Sequence, residues 1–198
     1  MITKKASHRA RPKVRNEPVQ VTVHLEEPLP SLRQERESAC IRRAIRASQD
    51  RFGCRIVAHA ALTNHLHFLA EAENEEKLSQ AMKGLQVRIA RALNKLWKRK
   101  GPVFRDRFHS RVLKTMGEIR NAVRYVLQNA RKHCIRIEKD NPDPYSSGPW
   151  YRFWRERMNQ PFRLDDCPVV EPRTAQLLKA CTHVPIGLNE KPAWCDRW

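Results

Sequence analysis

No run of eighteen apolar residues occurs anywhere in this 198-residue chain, so the sequence offers no membrane-spanning helix. Its first residues are charged rather than signal-like, which argues against a secretory leader. No Cys-x-x-Cys pair is present. The six cysteines (40, 54, 134, 167, 181 and 195) are scattered, which removes a zinc-finger reading and argues against a disulfide framework in a chain of this size. They are expected to be reduced thiols of a cytoplasmic protein, several of them filling the core. There is no internal repeat and no Walker motif, hence no sign of an ATP-driven domain. Acids are scarce as well: 21 Asp and Glu stand against 39 Lys and Arg, giving a net charge of +18. Such an excess selects a polyanionic partner, nucleic acid before membrane. The length is enough for one domain with a proper core.

Residues 1–15 carry Lys4, Lys5, Arg9, Arg11, Lys13 and Arg15 and no acid. They read as a flexible basic arm, either solvated or laid along phosphates. Residues 18–25 alternate in β fashion, and Pro28 and Pro30 end that strand. Ser31 is expected to cap a helix running to about Gly53, with Leu32, Ile41, Ile45 and Phe52 among its apolar positions. Residues 54–62 and 65–71 are β-like, with Thr63-Asn64 either separating two strands or bending one long one. Asn74 caps a helix over about 75–98, in which Leu78, Met82, Leu85, Ile89, Leu93 and Leu96 form the core stripe. Residues 103–113 look like a basic strand, and a last helix is expected from about Glu118 to Cys134. From 83 to 114 there are eleven Lys or Arg and one acid, Asp106, spread over a helix, a turn and a strand. That spread favours a phosphate-binding surface over a merely solvated face. A Pro- and Trp-containing tail is expected over 141–198, after a domain over 16–140. Its aromatics Trp150, Tyr151, Phe153 and Trp154 either pack back on the domain or stack on unpaired bases. The order β-α-β-β-α-β-α predicts an α+β fold with an antiparallel sheet and packed helices.

The stretch with most chemical content is Asn64-His65-Leu66-His67. On a strand, positions 65 and 67 point the same way while Leu66 points the other, so both imidazoles can reach one metal ion. By itself His-x-His is a weak signal, because a surface strand carries such pairs by chance. The helix from Glu118 supplies a second element. Its apolar stripe is Ile119, Val123, Val126 and Ala130, and Tyr125 and Asn129 lie on the flank of that stripe, one turn apart. A core tyrosine belongs on the stripe itself. Tyr125 on the flank, beside an amide, suits a nucleophile that forms a covalent phosphotyrosine. A phenol needs help, since its ordinary pKa is near ~10. The Asn129 carbonyl oxygen would complete a three-ligand set with His65 and His67, open to phosphate oxygens.

With these blocks in place the chain resembles the single-tyrosine HUH transposases, in particular the REP-associated tyrosine transposase branch. The likeness runs over about residues 18–155. It is carried by Leu29-Pro30-Ser31-Leu32-Arg33, Asn64-His65-Leu66-His67, Leu78 to Leu85, Ala90 to Asn94, Gly101 to His109 and Tyr125-Val126-Leu127-Gln128-Asn129. The resemblance implies a ferredoxin-like HUH endonuclease fold and a metal-dependent single-strand DNA endonuclease and strand transferase. It assigns His65, His67 and Asn129 as ligands and Tyr125 as nucleophile. Attack would leave a 5′-phosphotyrosine and a free 3′-OH, and rejoining would need no ATP. It further implies hairpin-bearing single-stranded DNA as partner, a monomer or homodimer, and a bacterial, nucleoid-associated location. Arg105, Arg107 and Arg111, with Lys98, Arg99 and Lys100, are the candidate DNA-backbone contacts, on charge alone. Imidazoles alone favour zinc or another transition metal. The family implies Mg2+ or Mn2+, and manganese satisfies both. Two features depart from the family pattern: Leu62-Thr63 where Met-Pro is frequent, and an unfamiliar tail after about Cys167, apart from Glu171-Pro172-Arg173-Thr174. Competing expectations are a domesticated hairpin DNA- or RNA-binding protein that cuts nothing, a phosphoesterase that uses water, and, ranked lower, a replication initiator or relaxase.

Overall fold

The structure is a computed structural model that describes residues 13–133, 135–138, 141–156, 166–182 and 185–188. Most of the expected basic arm, and the cysteines at 134 and 195, lie outside the described residues. The arm ends sooner than expected, since Val14 is buried in the core.

Strand β1 (Pro18–His24) alternates as its sequence requires, with Val19, Val21 and Val23 buried on one face. It pairs antiparallel with β3 (His65–Ala72) on one side and with β4 (His109–Val112) on the other. Strand β2 (Cys54–Ala61) pairs antiparallel with β3 and completes the sheet order β2-β3-β1-β4. With helices α1 (Glu35–Arg46) and α2 (Glu75–Leu96) between strands, this is the ferredoxin-like β-α-β-β-α-β arrangement. Thr63-Asn64 separate two strands: the Leu62 amide donates to the His65 carbonyl at 2.9 Å and closes a tight hairpin.

Helix α1 departs from expectation at both ends. Ser31 is not its cap. The helix starts after Gln34, because the Leu32 amide is held by the Thr63 carbonyl and Arg33 is engaged elsewhere. Arg33 forms a two-pronged pair with buried Asp143, at 2.8 and 2.9 Å, and donates to the Ala61 carbonyl. Such a fork fixes geometry as well as charge. Phe52 is not on the helix either. It is 48% exposed, at φ +56° in the left-handed turn that leads to β2. Asn74 caps α2, its side chain accepting from the Lys77 amide. The strand expected over 103–113 is shorter: Phe104 bridges to Leu25, the chain then leaves the ladder, and pairing resumes at His109. Helix α3 (Met116–Lys132) opens on a capping box in which Thr115 and Glu118 satisfy each other's backbone amides.

The sheet divides the core in two. Leu66, Phe68 and Ala70 of β3 pack toward α1 and α2, together with Leu78, Met82, Leu85, Ile89 and Leu93. On the other face Leu69 meets Ile119, Val123, Val126 and Leu127 of α3. Helix α4 (Ala175–Thr182) covers the outside of α3 through Leu177, Ala180 and Cys181. The described residues after 140 pack onto the domain. The Ala61 amide donates to the Tyr145 carbonyl and the Ser147 amide to the His59 carbonyl, which covers the β2 edge, and Trp150 and Trp154 are buried. Among the described residues Cys40, Cys54 and Cys181 are buried free thiols and Cys167 is half-buried. Among the described residues, too, no helix is long and apolar enough to cross a membrane.

Candidate active site

Strand parity decides which side chains meet α3. Because Leu66, Phe68 and Ala70 take one face of β3, His65, His67, Leu69 and Glu71 take the other, the face that α3 covers. Register then adds neighbours from β1: Thr22 stands opposite His67 and His24 opposite His65. His109 of β4 is across from Thr22. The rings of His24 and His65 are 5.2 Å apart, and those of His65 and His67 4.8 Å.

From the helix side, Tyr125 brings its ring to 5.1 Å from that of His67, edge to face. Two turns further on, His133 places its ring 5.7 Å from His65. Asn129 is one turn from each, so it lies on α3 between two residues that touch the histidine pair. It is fully buried, and neither atom of its amide has a hydrogen-bond partner within the protein. His67 repeats the pattern. Its Nδ1 is 2.9 Å from the Thr22 hydroxyl, while its buried Nε2 has no partner. His65 Nδ1 is likewise engaged, at 2.9 Å from the Asn64 side-chain oxygen. Leaving buried polar atoms unpaired costs about 1–3 kcal/mol each, so the bare Asn129 amide and His67 Nε2 call for a partner.

Burial holds these histidines in their neutral forms. It pushes the His65 pKa down to about 4, assisted by His24 and His133. His67 lies well below its ordinary value for the same reason, with His65, His24, His133 and Lys132 adding to the effect. Neutral imidazole is the ligating form. Among the described residues no three His, Cys, Asp or Glu side chains are grouped so as to hold an ion. The orphaned Asn129 oxygen has the right chemistry for a hard divalent cation.

The fold thus brings Tyr125, His65 and His67 into ring contact and sets Asn129 one turn from Tyr125 on α3. The six expected DNA contacts lie on the segment that runs from the end of α2 into β4. The Arg105 amide bonds the His24 carbonyl, which puts the 103–107 segment at the rim of the histidine cluster. Its side chain pairs with Asp106, and that of Arg111 with Glu118. Arg99 is partly committed to the turn after α2, donating to Asn94 and to the Pro102 carbonyl. Lys98, Lys100 and Arg107 are exposed. Sequence reasoning missed His24, Thr22, Lys132 and His133. The signals were present: Thr22 and His24, with Gln20, alternate with the buried valines of β1, and Lys132 and His133 follow Tyr125 at seven and eight residues, on its helical face.

The model of the family described as IS200-like transposases matches residues 30–129 of this chain. The chain belongs to the IS200-like transposase family. The matched span of this transposase contains α1, the whole β2–β3 hairpin with both histidines, α2, β4, and α3 as far as Asn129. Among solved structures it is similar to a REP-associated tyrosine transposase bound to a REP hairpin, with a TM-score of 0.58 and 20% identity over 71% of this chain and 82% of that one. That likeness shows the α+β fold. A bacterial tRNA(His) guanylyltransferase-like protein in complex with GTP is also similar, with a TM-score of 0.46 and 16% identity over 63% of this chain and 67% of the other. No curated protein matches the sequence.

Proposed function

We propose that this transposase is a metal-dependent single-strand DNA endonuclease and strand transferase that works through a 5′-phosphotyrosine at hairpin-flanked sites. The observation that carries the reading is the meeting of Tyr125 with a buried histidine whose Nε2 is unpartnered, next to an amide with two unpartnered atoms. His65, His67 and Asn129 would hold a divalent cation, manganese or magnesium, which when bound polarises the scissile phosphate and offsets its charge. With Nε2 left to coordinate, His67 carries its proton on Nδ1 and donates to the Thr22 hydroxyl, and His65 donates to Asn64. The Tyr125 oxygen attacks phosphorus, its proton passing to solvent. The new bond is between that oxygen and phosphorus, the bond that breaks is P–O3′, and the departing 3′ oxygen takes up a proton. A 3′-OH, from the same or another strand, reverses the step and releases the tyrosine.

Hairpin DNA as partner is supported by the similar transposase bound to a REP hairpin and by the charge of +18. Lys98, Arg99, Lys100, Arg105, Arg107 and Arg111 then serve the DNA backbone. In purified protein with Mn2+ and a labelled hairpin oligonucleotide from the DNA flanking its gene, a denaturant-resistant protein–DNA adduct is expected. It should be lost in Tyr125→Phe. Cleavage that survives this substitution would replace the mechanism with hydrolysis by water, and tight binding without cleavage would leave only a hairpin-binding protein.

A further inference from the structure

Lys132 is the last residue of α3, where a cation ordinarily does no more than offset the negative end of the helix dipole. This one does something else. Its ammonium lies 5.0 Å from the centre of the Tyr125 ring, folded back along its own helix. At seven residues from Tyr125 and three from Asn129 it shares their face. It is near enough to His67 and to His133 to disfavour their protonation. The neighbouring cation, Arg131, turns the other way and donates to the carbonyls of Glu138 and Asn141. Lys132 is therefore a half-buried positive charge beside the tyrosine–histidine cluster.

We propose that Lys132 is a further catalytic residue, whose ammonium binds a nonbridging oxygen of the scissile phosphate. The assignment rests on the phosphotyrosine reading above. A phosphodiester brought up to Tyr125 carries a negative charge into a site whose histidines are neutral, and Lys132 supplies a compensating charge at the nucleophile's side. The contact is electrostatic: the ammonium keeps its proton while the Tyr125 oxygen–phosphorus bond forms and P–O3′ breaks. The same oxygen stays on phosphorus in the 5′-phosphotyrosine, so the contact persists in the intermediate and serves the reverse reaction as well. Lysine offers a compact, mobile point charge for such a role.

The test compares Lys132→Met and Lys132→Arg with wild type and with Lys179→Met, which removes an equal charge from the exposed face of α4. Adduct formation in single turnover with Mn2+ should fall on the order of 100-fold in Lys132→Met, recover most of that loss in Lys132→Arg, and be unchanged in Lys179→Met. A second readout needs neither metal nor activity. In EDTA, on a Tyr125→Phe background, Lys132→Met should weaken binding of a hairpin with a single-stranded extension through the cleavage site. It should leave the hairpin alone unaffected, and lower the salt slope by about one phosphate contact. Equal weakening of both oligonucleotides would make Lys132 a general backbone contact and overturn the assignment. Full adduct rate in Lys132→Met would overturn it too, while loss of the adduct in Tyr125→Phe would still uphold the broader reading.

Discussion

His67 is held from one side and open on the other, and that asymmetry is the centre of the site. Thr22 takes its Nδ1, and Nε2 is left facing α3 without a partner. Replacing Thr22 with Val frees the ring to turn, and should weaken Mn2+ binding about 10-fold by titration calorimetry with little change in fold. Asn129→Ala should cost more, on the order of 100-fold in Mn2+ affinity, and Asn129→Asp should restore binding because it keeps the oxygen. Unchanged Mn2+ binding in Asn129→Ala would remove Asn129 from the ligand set. His59, on the opposite face of the sheet, makes a different prediction. It is wholly buried, and burial, with Arg42 nearby, pushes its pKa down to about 3. The unfolded chain takes up this proton near pH 6.5 and the folded one only near 3, so stability is full above 6.5 and is lost as pH falls between the two. At pH 5 the loss from His59 amounts to roughly 2 kcal/mol. Urea midpoints measured between pH 7 and 5 should therefore drop more steeply in wild type than in His59→Leu. Parallel slopes would contradict the account.

Among the elements, α3 carries the most chemistry and is braced most heavily. Its start is fixed by the Thr115–Glu118 capping box, and Thr115→Ala should lower stability by about 1 kcal/mol in denaturant titration. Its outer face is strapped by the tail. Glu71, on the histidine face of β3, accepts from the Arg173 and Thr174 amides and the Thr174 hydroxyl, which anchors the segment before α4. Gln128, between Tyr125 and Asn129, donates to the Gly187 and Leu188 carbonyls. Much of this scaffold was legible in the sequence, because period-two and period-3.6 patterns report burial directly. The alternation of Val19, Val21 and Val23, the stripe from Leu78 to Leu93 and the pairing of Tyr125 with Asn129 needed no partner to be read. What failed depended on distant groups. Ser31 looked like a helix cap, but Asp143, more than a hundred residues on, draws Arg33 out of the helix. The β character of 103–108 was overstated, since ladder pairing holds only at Phe104 and from His109. His24 and His133 were passed over because their place in the cluster comes from strand register and helix docking, neither of which one segment reveals.

For the whole molecule, the sheet separates two kinds of surface. One layer, α1 and α2, makes the larger core; the other encloses the histidine and tyrosine groups between the sheet and α3. Lys83, Arg91 and Lys95 of α2, and Lys98, Lys100 and Arg107 after it, are exposed positive charges. Hairpin binding should fall steeply with salt, and replacing Lys98, Lys100 and Arg107 together by Gln should lower the magnitude of the log–log salt slope by about 3. At saturating DNA the rate of adduct formation should not change, because these residues position the backbone and do not touch the reacting phosphate. A slope unchanged from wild type would place the DNA elsewhere. The central claim is that Tyr125 becomes covalently joined to DNA, and the most direct measurement is to map that bond. Trypsin cuts after Arg124 and after Arg131, so digestion of the Mn2+-dependent adduct should yield the peptide Tyr125–Arg131 carrying a 5′-phosphate-linked nucleotide, detected by mass spectrometry. A nucleotide on any other peptide, or cut DNA with no peptide attached, would contradict the account.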